Sequence, residues 1–304
     1  MNKKIVVNEL LLSLVPIIWG FAFIFQDIGN RYLSPIIFSG FRSLIGTTFL
    51  MTAIFIRYFI NKSLKKNVVL FTKKEFLSGI ILGVVTAIAM SLQQIGILYA
   101  GAGKSGFITS LYIIFVPIIG ILFHKKTSFI VAIALVISVT GLYLISINSG
   151  KFVFDIGTVF LVGSAIFYAL QILLIDLFSP GCDAINLSAL QFLFATIVQI
   201  PFAFLIEDVS MEHFNKALLP LLFCGVVSTG IAFTIQIYAQ KNVPVVLATV
   251  IMSLESVFAI IFSMIFLKST YGLFEILGCV LIFVAVLLIQ IPIKSKKQIK
   301  EDVQ

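Results

Sequence analysis

Charged residues are scarce in this chain. Of its 304 residues only 11% are Asp, Glu, Lys or Arg, whereas 60% are hydrophobic, and the mean hydropathy is +1.16. A soluble globular chain carries roughly 25% charged residues. Because so few charges cannot cover a soluble core with polar surface, the composition excludes a soluble protein and predicts an all-α polytopic membrane protein.

Cysteine and histidine are almost absent as well, at three and two residues. Cys182, Cys224 and Cys279 show neither a CxxC pattern nor a Cys/His spacing, so we expect neither a disulfide framework nor a metal site. His124 and His213 fall at the end of an apolar run and in a loop, which leaves no histidine for catalysis at depth. A zinc-protease helix motif and a nucleotide-binding loop are also missing. We therefore expect no metal, no cofactor and no enzyme activity.

Long apolar runs fill the chain instead. Ten of them approach the length of about 20 residues that crosses the roughly 30 Å hydrocarbon core of a bilayer. Strands are excluded because the runs are too long and lack period-two alternation. The ten predicted spans are 9–26, 35–57, 76–98, 105–123, 129–147, 155–177, 185–206, 217–238, 245–267 and 272–291.

The two halves of the chain repeat each other. Gly83-Val84-Val85-Thr86, followed by Gln94, is matched by Gly225-Val226-Val227-Ser228, followed by Gln236. Because each copy holds an odd number of spans, the second copy enters the bilayer upside down, an architecture typical of secondary transporters. We predict ten transmembrane helices arranged as two inverted five-helix repeats, residues 1–148 and 149–304, the second with a basic cytoplasmic tail.

Most of the 21 Lys and Arg residues fall on one side of the predicted spans, together with the N-terminus. The bias of basic residues toward cytoplasmic loops predicts both termini in the cytoplasm and a multi-pass protein of the plasma (cytoplasmic) membrane. The basic segments 62–74 and 294–300 are then expected to face anionic lipid headgroups, which explains the net charge of +8 without a nucleic-acid partner.

Residues along both halves resemble one family. The first half of the chain resembles the first half of an EamA domain at Pro16, Trp19-Gly20, Ser34-Pro35, Phe41-Arg42 and 83–117. Residues 225–268, which include Glu255, resemble the second half. The resemblance implies a member of the drug/metabolite transporter superfamily, which exports small metabolites such as amino acids or drugs by alternating access. The chain departs from the family at Ser256, where the family often has Pro, and at Lys268-Ser269, where it often has Gly-Glu. A flippase for a lipid-linked sugar and a non-transporting membrane protein are the alternatives.

Two charged residues lie deep inside predicted spans. Glu255 is near the centre of 245–267, and Arg42 is about seven residues inside 35–57. An ionisable side chain at this depth costs at least roughly 2.5–3.5 kcal/mol and is a functional hypothesis by default. Glu255 is a candidate proton-coupling site or counter-charge for an ammonium group, and Arg42 offers planar donors for a carboxylate or phosphate. The alternative for Glu255 is a structural hydrogen bond or ion pair between helices, and the alternatives for Arg42 are hydrogen bonds to backbone carbonyls at helix ends or an extension of the side chain to the outer interface.

Polar residues on repeat-related spans complete the predicted substrate site. Ser110 and Tyr112 correspond to Ser253 and Glu255 in the second copy. For each polar residue the alternative is an interhelical hydrogen bond, worth about 0.6 kcal/mol on average. Tyr168 is expected to be an interfacial anchor, and Trp19 either lines the pathway or packs. A small molecule is the expected partner, in a monomer or a homodimer. The predicted substrate-binding residues are Arg42, Gln94, Thr109, Tyr112, Gln236, Ser253 and Glu255.

Overall fold

A computed structural model describes residues 3–64, 70–122, 129–146, 156–208, 210, 212–270 and 272–290. Within these ranges the chain is helical and contains no strand, so the predicted all-α class is confirmed. The predicted repeat boundary at 148–149 and the basic tail 294–300 lie outside the described residues. The helices are α1 (Lys3–Gly29), α2 (Pro35–Ser63), α3 (Lys73–Thr109), α4 (Tyr112–Leu122), α5 (Phe129–Ser146), α6 (Ile156–Phe178), α7 (Ala184–Ile206), α8 (Phe214–Leu222), a π-helical segment (Phe223–Ala232), α9 (Phe233–Gln240), α10 (Val245–Met252), α11 (Leu254–Phe266) and α12 (Leu273–Gln290).

Seven helical segments of the described chain are long and apolar enough to cross a membrane, judged by length and composition. They are Val6–Gly29, Pro35–Ser63, Lys73–Thr109, Ile156–Phe178, Ala184–Ile206, Phe214–Gln240 and Val245–Phe266. Three shorter apolar helices are Tyr112–Ile121, Ala132–Gly141 and Ile276–Ala285. Each of these segments overlaps a predicted span, while the count of ten crossings and the inversion of the repeats stay predictions.

Two predicted spans are interrupted. The predicted spans 76–98 and 105–123 are joined by a kink in α3 at Gly101 (φ 72°, ψ 171°), a backbone conformation that favours glycine. The helix then continues to Thr109, so the predicted span 105–123 is divided between α3 and α4. The predicted span 245–267 is likewise divided at Ser253, between α10 and α11. Non-helical backbone at membrane depth is tolerated where it lines a cavity.

Small residues let the helices of the two halves approach closely. α3 packs along α6 and α7, the stretch from α8 to α9 packs along α1 and α2, and α2 packs against α7. A Cβ atom added to Gly46 on α2 would lie only 2.9 Å from the carbonyl oxygen of Gly225 in the π-helical segment. Such glycines allow backbone contact between apolar helices, and this contact brings Arg42 beside the π-helical segment.

The N-terminus of α7 is tied to the C-terminal end of α2. The Arg57 guanidinium donates to Asp183 Oδ2 at 2.9 Å and to Asn186 Oδ1 at 2.8 Å. Glu75 Oε1 accepts the backbone N–H of Asp183 at 2.8 Å, and Glu75 Oε2 accepts the backbone N–H of Thr72. We refer to Arg57, Glu75, Asp183 and Asn186 as the Arg57 cluster, which joins α2, α3 and α7.

The opposite ends of α2 and α7 are also tied together. Glu207, just after α7, accepts the backbone N–H groups of Ile36 and Ile37 at 2.9 and 3.0 Å. These N–H groups belong to the first turn of α2, where they have no partner within the helix and favour a carboxylate. The Ser34 hydroxyl donates to the Asp208 carbonyl at 3.3 Å. Helices α2 and α7 are therefore connected at both ends of the bundle.

We expect Gly46→Ala to destabilise the protein. The new Cβ would lie 2.6 Å from Thr229 Cγ2 and 2.9 Å from a backbone oxygen, so α2 and the π-helical segment must separate. Overpacking of this kind costs roughly 1–3 kcal/mol. Thermal unfolding in detergent measures the effect, with Gly163→Ala as control, because a Cβ there meets only Leu92 Cδ1 at 3.3 Å. Equal unfolding temperatures for the two variants would contradict the close contact.

Asp183 gives the Arg57 cluster a pH dependence. Partial burial raises the pKa of Asp183, but the hydrogen bonds from Arg57, Asn186 and Ile185 and the charge of Arg57 outweigh it and hold the pKa below 3.8. A depressed pKa stabilises the folded state above the unfolded value, and this contribution is lost as the pH falls through the folded value.

The unfolding temperature of the wild type should therefore be higher than that of Asp183→Asn. The difference between the two temperatures should be largest near neutral pH and should shrink below pH 3.8. Thermal scans across this range test the expectation, with Asp208→Asn, an exposed position, as control. A difference between wild type and Asp183→Asn that stays constant with pH would show that the Asp183 charge does not stabilise the cluster.

Candidate functional site

A cavity with about 390 Å³ of empty space, part of it open to solvent, lies between the two halves of the bundle. Helix α1 contributes Trp19, Ala22, Phe23 and Gln26, which share one helical face by their spacing. Helix α6 contributes Tyr168, Gln171 and Ile172. The other helices contribute Arg42, Gln93, Thr109, Tyr112, Ser228, Phe233, Gln236 and Glu255.

Arg42 supplies a positive charge to this cavity, although its residue is only 2% exposed. Its Nη1 donates to Gln26 Oε1 at 2.7 Å, and its Nε and Nη2 make longer contacts with the hydroxyls of Thr229 (3.4 Å) and Ser228 (3.5 Å). All three partners are neutral. Neutral hydrogen bonds orient the guanidinium but leave its charge uncompensated.

A polar relay behind Arg42 fixes the position of Gln26. Gln94 Nε2 donates to the Gln26 carbonyl oxygen at 3.0 Å and to Asn30 Oδ1 at 2.8 Å. Asn30 Nδ2 in turn donates to the Gln94 carbonyl at 3.1 Å. Gln94 therefore does not line the cavity but joins α3 to the part of α1 that orients Arg42.

Glu255 supplies a negative charge to the same cavity and is 3% exposed. It lies in the first turn of α11, directly after the break at Ser253, where the helix N-terminus favours a carboxylate. Its Oε1 accepts the Ser110 hydroxyl at 3.3 Å. Tyr112 lies close by, but its hydroxyl makes no hydrogen bond of adequate geometry. The two helix breaks, at 110–111 and at Ser253, thus meet beside the Glu255 carboxylate.

The two charges face one cavity without pairing with each other. Arg42 and Glu255 form no salt bridge within 4.0 Å, in contrast to the pairs Asp27–Arg31 and Arg57–Asp183. A buried charge without a counter-charge is costly. The cavity can therefore stabilise a ligand that carries both signs of charge.

Neutral side chains connect the charged groups to the rest of the wall. The Tyr168 hydroxyl donates to Gln93 Oε1 at 3.1 Å, and Gln93 Nε2 donates to the Thr109 hydroxyl at 3.4 Å. Gln171 and Gln236 exchange hydrogen bonds of 3.4 and 3.5 Å across the cavity wall. The cavity thus offers both donors and acceptors from each half of the chain.

Five of the seven predicted site residues come together in the cavity: Arg42, Thr109, Tyr112, Gln236 and Glu255. The other two, Gln94 and Ser253, do not line it. The Ser253 hydroxyl donates to the Val250 carbonyl at 2.7 Å, one turn back along α10. A role of these residues in substrate binding stays a prediction.

Five polar cavity residues were not predicted from the sequence: Gln26, Gln93, Tyr168, Gln171 and Ser228. The interfacial position expected for Tyr168 was wrong, because it lies in the middle of α6 and is only 7% exposed. The spacing of Tyr168 and Gln171 in an otherwise apolar run places both on one helical face. That pattern is the signal that could have found them.

The chain is similar to known membrane proteins over nearly its full length. The model of the EamA-like transporter family matches residues 7–147 and again residues 155–291. An "Uncharacterized transporter" of Archaeoglobus fulgidus is 27% identical over 286 residues, which covers 94% of this chain and 86% of that protein. The "Uncharacterized transporter YoaV" of Bacillus subtilis is 27% identical over 281 residues, with 88% and 91% covered.

One solved crystal structure superimposes on this chain with a TM-score of 0.72, and the match covers 92% of this chain and 95% of that chain. The two sequences are 14% identical, so the similarity shows the fold alone. The resemblance stated from the sequence is confirmed by the family model, because its two matches together span most of the chain. The chain is a multi-pass membrane protein of the EamA-like transporter family, within the drug/metabolite transporter superfamily.

Proposed function

We propose that this protein is a secondary-active transporter that moves a small zwitterion, such as an amino acid, through the central cavity by alternating access. The observation that carries the proposal is that the buried residues Arg42 and Glu255 face one cavity and that neither is paired with an opposite charge. A substrate carboxylate bound to the Arg42 guanidinium and a substrate ammonium bound to the Glu255 carboxylate would each provide the missing counter-charge.

Alternating access is supported by the arrangement of the helices around this site. Two inverted repeats, residues 1–148 and 149–304, would rock against each other about a binding site between them. The double match of the family model and the helix breaks at 110–111 and at Ser253 fit such a pair. The distribution of basic residues supports cytoplasmic termini in the plasma membrane.

Proton coupling is the proposed second role of Glu255. A buried carboxyl group can bind a proton or a substrate ammonium, but not both at once. If the protonated form is favoured when the substrate has left, each cycle exchanges one ligand for the other. This competition would couple substrate movement to the proton gradient without a further ionisable group at the site.

Counterflow in proteoliposomes tests the substrate class. Vesicles loaded with unlabelled alanine should accumulate labelled alanine from outside. External alanine methyl ester, which lacks the carboxylate, and N-acetylalanine, which lacks the ammonium, should fail to compete with the labelled substrate. Equal competition by either derivative would show that the matching charge, Arg42 or Glu255, is not used for recognition.

The same vesicles distinguish amino-acid transport from the alternative function, a flippase for a lipid-linked sugar. Such a substrate needs a groove open to the bilayer, whereas the charged side chains of this cavity are almost fully buried. Scrambling of labelled lipid in the same vesicles, without amino-acid counterflow, would favour the flippase.

We expect Glu255→Gln to abolish the response of transport to an imposed pH gradient, because an amide cannot exchange a proton. Affinity for the zwitterion should also fall by roughly tenfold or more, which corresponds to about 1.4 kcal/mol. Initial uptake rates with and without the gradient measure the first effect, and concentration dependence measures the second. The control is Glu212→Gln, an exposed glutamate outside the spans. Undiminished stimulation of Glu255→Gln by the gradient would rule out Glu255 as the proton site.

A further inference from the structure

We infer that Gln171, Gln236 and Trp19 form a side-chain subsite that selects amino acids with an uncharged, hydrogen-bonding side chain. This inference rests on the proposed zwitterion transport and concerns the part of the cavity that the two charges leave free. All three residues line the same cavity as Arg42 and Glu255. The side chain of the substrate amino acid would then carry a hydroxyl or a carboxamide group.

The two glutamines are available to a ligand because their mutual hydrogen bonds are long. They lie at 3.4 and 3.5 Å, compared with a usual N–H···O distance of about 2.9–3.0 Å. Both residues are buried, one on α6 and one on α9. A glutamine carries two N–H donors and an acceptor oxygen. Gln171 Nε2 makes one hydrogen bond here, so one of its N–H groups stays free for a ligand.

A third glutamine holds this pair in place. Gln240 Nε2 donates to the Ile172 carbonyl at a short 2.7 Å, and Gln240 Oε1 accepts Gln236 Nε2 at 3.4 Å. Gln240 does not line the cavity. It is therefore a positioning residue, which fixes the orientation of the Gln236 amide and leaves the Gln236 oxygen directed to Gln171 and the cavity.

Trp19 adds a free donor to the same cavity. Its indole Nε1 is buried and has no hydrogen-bond partner. The ring is held by Phe233, with ring centroids 4.8 Å apart, and Phe233 packs against Phe192 at 5.0 Å. Leaving a buried donor unpaired is unfavourable, because the donor has lost its hydrogen bonds to water. A substrate oxygen that accepts this N–H removes that cost.

The composition of the cavity wall excludes the other side-chain classes. Arg42 and Glu255 are the charged residues among those that line the cavity, and both are used by the substrate backbone groups. A charged substrate side chain would therefore be buried without a counter-charge. An aliphatic side chain would fit but would leave the indole N–H and the Gln171 amide unpaired, which is how polar sites reject apolar analogues.

Pairs of amino acids with the same shape test the inference. Threonine and asparagine should inhibit alanine counterflow roughly tenfold better than their apolar isosteres valine and leucine. In Gln171→Met, Gln236→Met and Trp19→Phe the advantage should fall to about twofold or less, through weaker inhibition by threonine and asparagine, while valine and leucine keep their strength. A purely structural role of these residues would instead weaken all four inhibitors alike.

Gln191→Met is the matched control. Gln191 is a fully buried glutamine on α7 whose amide atoms have no hydrogen-bond partner, and it does not line the cavity. This variant should keep the wild-type preference. Equal inhibition by threonine and valine in the wild type, or a preference that survives all three cavity variants, would overturn the subsite while leaving zwitterion transport intact. Absence of counterflow for every amino acid, alanine included, would overturn the proposed function and the subsite together.

Discussion

The burial of two opposite charges that do not pair is the constraint around which the rest of the bundle is organised. An arginine and a glutamate at membrane depth are tolerated only if polar groups surround them. Arg42 obtains these groups from α1 and the π-helical segment, and Glu255 obtains them from Ser110 and from the N-terminus of its own helix. Since the partners come from both halves of the chain, the two charges fix how the halves meet. The proposed zwitterion completes the electrostatics that the protein leaves open.

The backbone contributes as much to this arrangement as the side chains do. The breaks at 110–111 and at Ser253 place Tyr112 and Glu255 at the starts of two short helices that meet at the cavity. Close contact between Gly46 and Gly225 lets α2 and the π-helical segment approach until Ser228 and Thr229 reach Arg42. The helix breaks interrupt regular helices, and the glycine contact brings two helices close together. Both bring polar groups to the cavity between the two halves of the chain.

Sequence reasoning was most successful where a residue type is costly in lipid. Arg42 and Glu255 were conspicuous because a charge in an apolar run needs an explanation, and both line the cavity. The uncharged amides were less predictable, since an amide in a span can bond a neighbouring helix or a ligand equally well. The repeat-equivalent Gln94 and Gln236 illustrate this, because Gln236 lines the cavity whereas Gln94 holds α1. Equivalent positions in a duplicated chain need not keep equivalent contacts.

The sequence by itself determined that the protein lies in a membrane and is built of helices, because it has too few charges for a soluble surface and its apolar runs have the length of membrane-spanning helices. It also carried the family resemblance that the family model confirmed. It also identified the two charges that need partners. Only the tertiary structure decided which polar residues share a cavity with those charges, because Gln26, Gln171 and Ser228 come from helices far apart in the chain. Hydrophobic periodicity reports which segments enter the membrane. The rotation and approach of packed helices, which are set by glycine contacts and helix breaks, decide which faces enclose the cavity.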